Sequence, residues 1–261
     1  MENESTPGDG EKRCLNCNTE YKGAYCHNCG QHISTGRLAS RDFFTNAALS
    51  LLRVNRGFGY TAYHLLYEPW AVIRNYIHGK RVIYTAPVPM LIVLCLFGTL
   101  IPKILGVQNV FYLDAESAML PGEMMSERII NAILHFYTSS PVFQALTMFI
   151  PYMIAVMMVY RKSGARRFNI AEYTVAMIYM ADFVIITEIV LLPVSFVSND
   201  VCTALWVLLE LVMGGIVLDK AFPQPTRLKT LWKIFLFLLI SQIVMWVPMV
   251  IFGVVCGMFM V

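Results

Sequence analysis

Charge is scarce in this chain. Only 14% of its 261 residues are Asp, Glu, Lys or Arg, while 57% are hydrophobic and the mean hydropathy is +0.59. A soluble domain usually carries about 25% charged residues. The net charge of +3 says little about nucleic acid, and no groove-reading motif accompanies the bases, so no nucleic-acid partner is expected. Enzyme signatures are also missing: there is no His-Glu-x-x-His, no Gly-x-Ser-x-Gly and no Walker lysine. His64, His78 and His135 face no evident nucleophile, so no catalytic residue is assigned. The first 35 residues lack an apolar core and carry Glu2, Glu4, Asp9 and Glu11. A cleavable signal is therefore not expected, and targeting falls to the first spanning helix. The 16 methionines form no Met-x-Met array. Met119, Met124 and Met125 do cluster, but copper transport is a poor fit. No clear internal repeat is present.

What the chain does have is long apolar runs. Five of them, at 87–106, 141–160, 173–197, 202–218 and 232–260, are read as transmembrane helices. About 20 residues at 1.5 Å each cross a hydrocarbon core of about 30 Å, and the fourth run is at the short limit. The expected fold class is an all-α membrane protein. About five transmembrane helices (87–261) follow a flexible start (1–12), a zinc ribbon (13–33) and an amphipathic helical segment (34–86).

The bases fall unevenly around these runs. Lys12, Arg13, Lys22, Arg37, Arg41, Arg53, Arg56, Arg74, Lys80 and Arg81 precede the first. Arg161, Lys162, Arg166 and Arg167 follow the second, and Lys220, Arg227, Lys229 and Lys233 separate the fourth from the fifth. Only Lys103 and Arg128 remain for the other side, where the 107–140 loop carries Asp114, Glu116, Glu123 and Glu127. The positive-inside rule then puts the N-terminus in the cytoplasm and the C-terminus outside. The expected location is the inner membrane of a bacterium.

Seven cysteines are present. Cys95, Cys202 and Cys256 sit singly in apolar runs, as small buried hydrophobes do. The other four read Cys14-x-x-Cys17 and Cys26-x-x-Cys29. Each pair can bend into a knuckle, and four thiolates complete the tetrahedral shell of structural zinc. Gly30 follows the second pair and Asn18 the first, the two residue types most tolerant of positive φ. Tyr21 and Tyr25 can cover the metal. His27 and His32 are substitute ligands, but four thiolates already close the shell. A rubredoxin-type iron site uses the same ligands, and a pair of disulfides is the bland alternative. A reducing cytosol disfavours disulfides. About 20 residues cannot bury a core of their own, so the metal would supply the folding energy.

Residues 41–83 interleave bases and aromatics. Phe43, Phe44, Ala47, Ala48, Leu51 and Leu52 have helical spacing, and Arg56-Gly57-Phe58-Gly59 breaks the pattern. A second stretch runs from Thr61 to Tyr67, and Pro69 suits the first turn of a third. Such helices can lie on anionic headgroups or pack as a small subdomain on the spanning helices. Lipid, an unidentified protein and a second copy of the chain are the expected partners.

The thiol pairs, Arg56-Gly57-Phe58 with Thr61, Leu65 and Pro69, and Tyr76-Ile77-His78-Gly79-Lys80-Arg81 with Tyr84 and Pro87 together resemble a family of uncharacterised bacterial membrane proteins, a domain of unknown function. The resemblance implies a short N-terminal zinc ribbon and several spanning helices. It covers most of the chain, is best defined over 14–90 and weakens toward the C-terminus. Arg166-Arg167-Phe168-Asn169-Ile170-Ala171-Glu172-Tyr173 is also similar to the family, in which a histidine often follows that glutamate. Tyr173 stands there in this chain, which removes any chemistry that depends on the histidine. The resemblance carries no activity.

Asp182 and Glu188 lie in the third run and Glu210 in the fourth. A carboxylate in hydrocarbon costs several kcal/mol, so these groups mark either an ion or proton path or interhelical hydrogen bonds. Asp182 and Glu188 are about 120° apart on a helix, too far to share one ligand directly. Glu210 can face either across a helix pair. Pro151, Pro193 and Pro248 could break spans, although proline is common in ordinary ones. Two functions are therefore carried forward. One is an adaptor or scaffold whose ribbon docks a protein partner. The other is a small-solute or ion transporter using the three carboxylates, with the ribbon as a regulatory element.

Overall fold

The computed structural model describes residues 12–32, 35, 38, 57–107, 121, 127, 128, 131, 141–160, 168–223 and 225–259; of 141–148, 199, 245 and 247–259 it describes the backbone only. The expected amphipathic helix over 43–52, most of the 107–140 loop and the bases at 161–167 lie outside these residues.

Two short strands come first, β1 (Lys12–Arg13) and β2 (Glu20–Tyr21), paired antiparallel. Seven helices follow among the described residues: α1 (Phe58–Tyr67), α2 (Pro69–Ile77), α3 (Pro87–Leu105), α4 (Pro141–Val159), α5 (Ile170–Ser195), α6 (Asn199–Ala221) and α7 (Arg227–Phe259).

Local chemistry sets most of the helix ends. Pro69 and Pro87 open α2 and α3 at the position where a missing N–H costs nothing. Asn169 and Glu172 form a reciprocal capping box, which starts α5 three residues earlier than the apolar run suggests. Ser198 caps α6, so the fourth expected span is longer than its apolar run: 23 helical residues. Likewise α7 begins at Arg227, and α1 takes in Phe58 and Gly59, which the sequence reading placed in a break. Gly106 ends α3 in the left-handed conformation, and α4 and α5 run through Pro151 and Pro193 without interruption.

Among the described residues, three helices are long and apolar enough to cross a membrane: Pro87–Leu105, Ile170–Ser195 and Asp200–Ala221. They are used differently. Helix α5 is the centre, packed by α1, α2, α3, α4 and α6, and apart from its few carboxyls and hydroxyls it is apolar on all sides, as a surrounded helix should be. Its tightest neighbour is α3, where Gly98 leaves so little room that a Cβ would lie 3.0 Å from Ile185 Cγ2. By contrast, Ile92, Leu96 and Leu100 of α3, Leu208 and Leu211 of α6, and Phe235 and Ile243 of α7 are exposed. Apolar surface of this extent suits hydrocarbon rather than water.

One end of the bundle gathers the N-termini of α3, α5 and α7 with the C-termini of α4 and α6. Tyr179 donates to Thr85 O at 2.7 Å, Tyr173 donates to Tyr160 O at 2.8 Å, and Thr230 donates to Asp219 at 2.9 Å. Lys220 Nζ lies 3.6 Å from the Trp70 ring centroid. The bases that the sequence reading assigned to one side at 74–81 and 220–233 therefore belong to helix ends that meet.

Helices α1 and α2 are part of this end. Leu65, Val72, Ile73, Tyr76 and Ile77 are buried, and α2 packs on α5 and α6. Residues 58–77 are thus packed on the long helices. Tyr60, Tyr63 and Tyr67 stay exposed along one face of α1.

Candidate metal centre

The four thiol sulfurs of Cys14, Cys17, Cys26 and Cys29 all lie within 4.8 Å of one another. Cys14 and Cys29 approach to 3.5 Å, as do Cys17 and Cys26. A tetrahedral ion with metal–sulfur bonds of about 2.3 Å needs sulfurs about 3.8 Å apart. The four groups therefore fit a metal ion, and none of the four is in a disulfide. The cluster holds no histidine among the described residues.

The two knuckles repeat the same backbone solution. Asn18 N–H donates to Cys14 O at 2.9 Å, and Gly30 N–H donates to Cys26 O at 2.8 Å. Cys14 N–H reaches Thr19 O and Cys26 N–H reaches Gln31 O, both at 2.9 Å. The turns require φ of +61° at Asn18 and +74° at Gly30, as the residue types at those places foretold. Antiparallel pairing of β1 with β2 closes the first knuckle, and a bridge between Tyr25 and His32 closes the second.

The two tyrosines part company. Tyr21 is 8% exposed and packs against the sulfurs, whereas Tyr25 is 63% exposed and meets the His32 ring at 4.7 Å. Only Tyr21 covers the site. Its hydroxyl is pushed up by burial, and further by the neighbouring thiols Cys14, Cys26 and Cys29.

The sulfurs are not equivalent. The Thr19 hydroxyl, 3.3 Å from Cys17 Sγ, and the Thr19 backbone pull the Cys17 thiol down to about 6. Burial pushes Cys29 up to about 12. Cys17 is thus ready to engage an ion at neutral pH, while Cys29 must have its proton displaced.

The sequence reading did not foresee what holds this module in place. Gln31 is 4% exposed, and its amide N–H donates to Gly79 O at 2.9 Å while its amide oxygen accepts from Arg81 N–H at 3.4 Å. Asn16 Oδ1 accepts from Ile83 N–H at 3.3 Å. Leu15 lies so close to Gly79 that a Cβ there would come within 2.8 Å of Leu15 Cδ1. Leu15 and Asn16 are the residues between the first two cysteines, and Gln31 follows the last. An amide two residues past a knuckle is the only hint that the sequence carried.

Gly79 also terminates α2. Its N–H reaches Tyr76 O at 3.1 Å, and Lys80 N–H reaches Asn75 O at 2.9 Å, the paired bonds of a Schellman ending. Beyond it, Thr85 N–H donates to Thr61 Oγ1 and Asn75 donates to the Tyr84 hydroxyl. The 79–85 segment therefore runs between the thiol module and α1. Burial lowers the half-buried Arg81 guanidinium and pushes Tyr76, whose ring lies 5.9 Å from it, up to about 12.

The three carboxylates in the helices do not converge. Asp182 is completely buried, and neither of its oxygens has a hydrogen-bond partner among the described residues. Glu188 is buried further along α5. Glu210 accepts from Thr187 Oγ1 at 2.9 Å, one residue from Glu188, so it pairs with that end of α5 and not with Asp182.

A family model described as "Protein of unknown function (DUF3667)" matches residues 55–98. The match spans α1, α2, the 78–86 segment and α3 as far as Gly98, and leaves the thiol module outside. No curated protein and no solved structure matches the chain.

Proposed function

We propose that this chain is an inner-membrane adaptor of a bacterium, with a cytosolic zinc ribbon that docks a protein partner. In this reading 87–106, 141–160, 173–197, 202–218 and 232–260 all cross the membrane, the N-terminus is cytosolic, and the C-terminus is outside. Support for the topology comes from the bundle end that carries the thiol module, Lys80, Lys220 and Lys229, which suits a cytosolic face. A reducing cytosol disfavours disulfides, and the short loop between the thiol pairs, with no redox partner evident, favours structural zinc over iron. The exposed tyrosine face of α1 suits the headgroup layer, which would bring the bases within 41–83 close to anionic lipid.

The observation that carries the adaptor reading is a four-sulfur cluster with no ligand position left for substrate, fixed to the bundle and presenting Tyr25 to solvent. Such a site organises a surface and activates no water. The test is cross-linked pull-down from native membranes of wild type, Cys26→Ser/Cys29→Ser and Tyr25→Ala at matched membrane levels. A partner held by wild type and lost from both variants, with zinc retained in Tyr25→Ala, is the expected result. Recovery independent of both changes removes the ribbon from the function.

One observation favours the transport reading as a second: the buried carboxyl of Asp182, which has no hydrogen-bond partner among the described residues. A charge there is costly, so the group is suited to taking up and releasing a proton. Glu188 and Glu210 would continue the path along α5 and α6. Proton flux in proteoliposomes that Asp182→Asn abolishes and Tyr25→Ala leaves unchanged would move the assignment to transport.

A further inference from the structure

Three side chains of the thiol module hold the segment that leads into α3. All three depend on the knuckles for their position. Leu15 and Asn16 occupy the two places between Cys14 and Cys17, and the Gln31 carbonyl is fixed by Cys26 N–H. The module's own apolar cluster consists of Tyr21 and the cysteines. A core that small does not fold unaided, so an ion shared by the sulfurs fixes the knuckles. The contacts with Gly79, Arg81 and Ile83 span 48, 50 and 67 residues of sequence, so only a folded module can make them.

We propose that the four-thiolate centre is a metal-dependent latch. With the ion bound, Leu15, Asn16 and Gln31 clamp Gly79–Ile83 at the foot of α3; without it the clamp opens. The proposal rests on the metal-site reading of the four cysteines and goes beyond it, because it assigns the ion control over a segment of the membrane bundle. On the other side the same segment is held by α1, through Thr61 and the close approach of Gly57 to Ile83 O. Opening therefore frees one side only. It releases Gly79 O and the Arg81 and Ile83 N–H groups, among them the N–H of the peptide bond after Lys80, and leaves Tyr84 and Thr85 seated in the bundle, where both are buried.

Trypsin reads this directly, because Lys80 and Arg81 are its cleavage residues and cleavage requires the segment to leave the clamp. When opening and closing are fast, the cleavage rate follows the open population. The experiment uses the full chain in nanodiscs, with metal content measured on each sample. The samples are wild type as purified, wild type after chelation, wild type after chelation and zinc return, and Gln31→Ala.

Metal-loaded wild type is expected to resist cleavage at Lys80 and Arg81. Chelation should speed it at least about tenfold, and zinc should restore resistance. Gln31→Ala should be cleaved on the order of tenfold faster while retaining its metal, since it loses the hydrogen bonds to Gly79 O and from Arg81 N–H. If metal is bound and removable but cleavage ignores its removal, the latch is overturned and the metal site stands. If no preparation binds metal, both fall. If Gln31→Ala loses its metal as well, Asn16→Ala replaces it, and unchanged cleavage in a metal-loaded Asn16→Ala would also overturn the latch.

Discussion

Replacing Gly79 by alanine perturbs the contact between the thiol module and the membrane bundle without touching a cysteine. Gly79 has φ of +103°, outside the regions open to a residue with a Cβ. Holding a side chain there costs about 1–3 kcal/mol. The new Cβ would also lie 2.8 Å from Leu15 Cδ1. Leu15 is half-exposed and can swing away, so this second effect stays at the low end of overpacking, about 1 kcal/mol. The sum is about 2–4 kcal/mol, acting on the Schellman ending of α2 and on the clamp together. At about 1.4 kcal/mol per tenfold, the open population of the segment rises about 30- to 700-fold.

The assay is amide hydrogen exchange over 78–84 in nanodiscs, where Lys80, Arg81 and Ile83 N–H groups are hydrogen-bonded in the native state. Gly106→Ala is the control. It also has positive φ, +67°, but nothing lies within 4 Å of its Cβ position, so it should leave exchange at 78–84 unchanged. Equal protection in Gly79→Ala and wild type would refute the account of the clamp.

Three further outcomes are expected. Asn169→Ala removes half of the capping box of α5 and the bond from Asn169 to Leu38 O, and should cost about 1–2 kcal/mol, seen as a lower Tm in detergent. Gly98→Leu should destabilise the bundle by about 1–3 kcal/mol, while Gly98→Ala costs less because Ile185 can yield a few tenths of an ångström; thermal unfolding of the two variants separates the cases. Metal affinity should fall on acidification, because protons compete with the ion for the sulfurs. Cys17, at about 6 when metal-free, is largely deprotonated above that pH, so the fall should steepen below about pH 6, as a chelator competition series would record.

The helix order, the proline starts and the knuckle turns were all legible in the sequence, because each rests on a local rule: run length, a fixed φ, or tolerance of positive φ at Asn18 and Gly30. The four-cysteine cluster was legible for the same reason. The starts of α5 and α7 were missed because apolar runs mark where a helix turns greasy, and polar first turns such as Asn169–Glu172 precede that point. The packing of α2 against α5 and α6 was undecided, since an amphipathic pattern looks the same whether its apolar face meets lipid or protein. Gln31 and Asn16 were invisible as docking residues. Their partners are backbone groups 50 or more residues away, except Gly79 at 48, and no periodicity or spacing encodes such a contact. The separation of Asp182 from Glu210 also depends on the rotation of α6 against α5, which composition does not specify.

The central claim is that Cys14, Cys17, Cys26 and Cys29 together hold one metal ion. Elemental analysis of the full chain, purified from membranes without added metal, tests it most directly, with the Cys26→Ser/Cys29→Ser variant measured beside it. The account predicts about one zinc per chain in the wild type and none in the variant. A well-folded wild type with no metal, or a variant that keeps its full metal content, would contradict it.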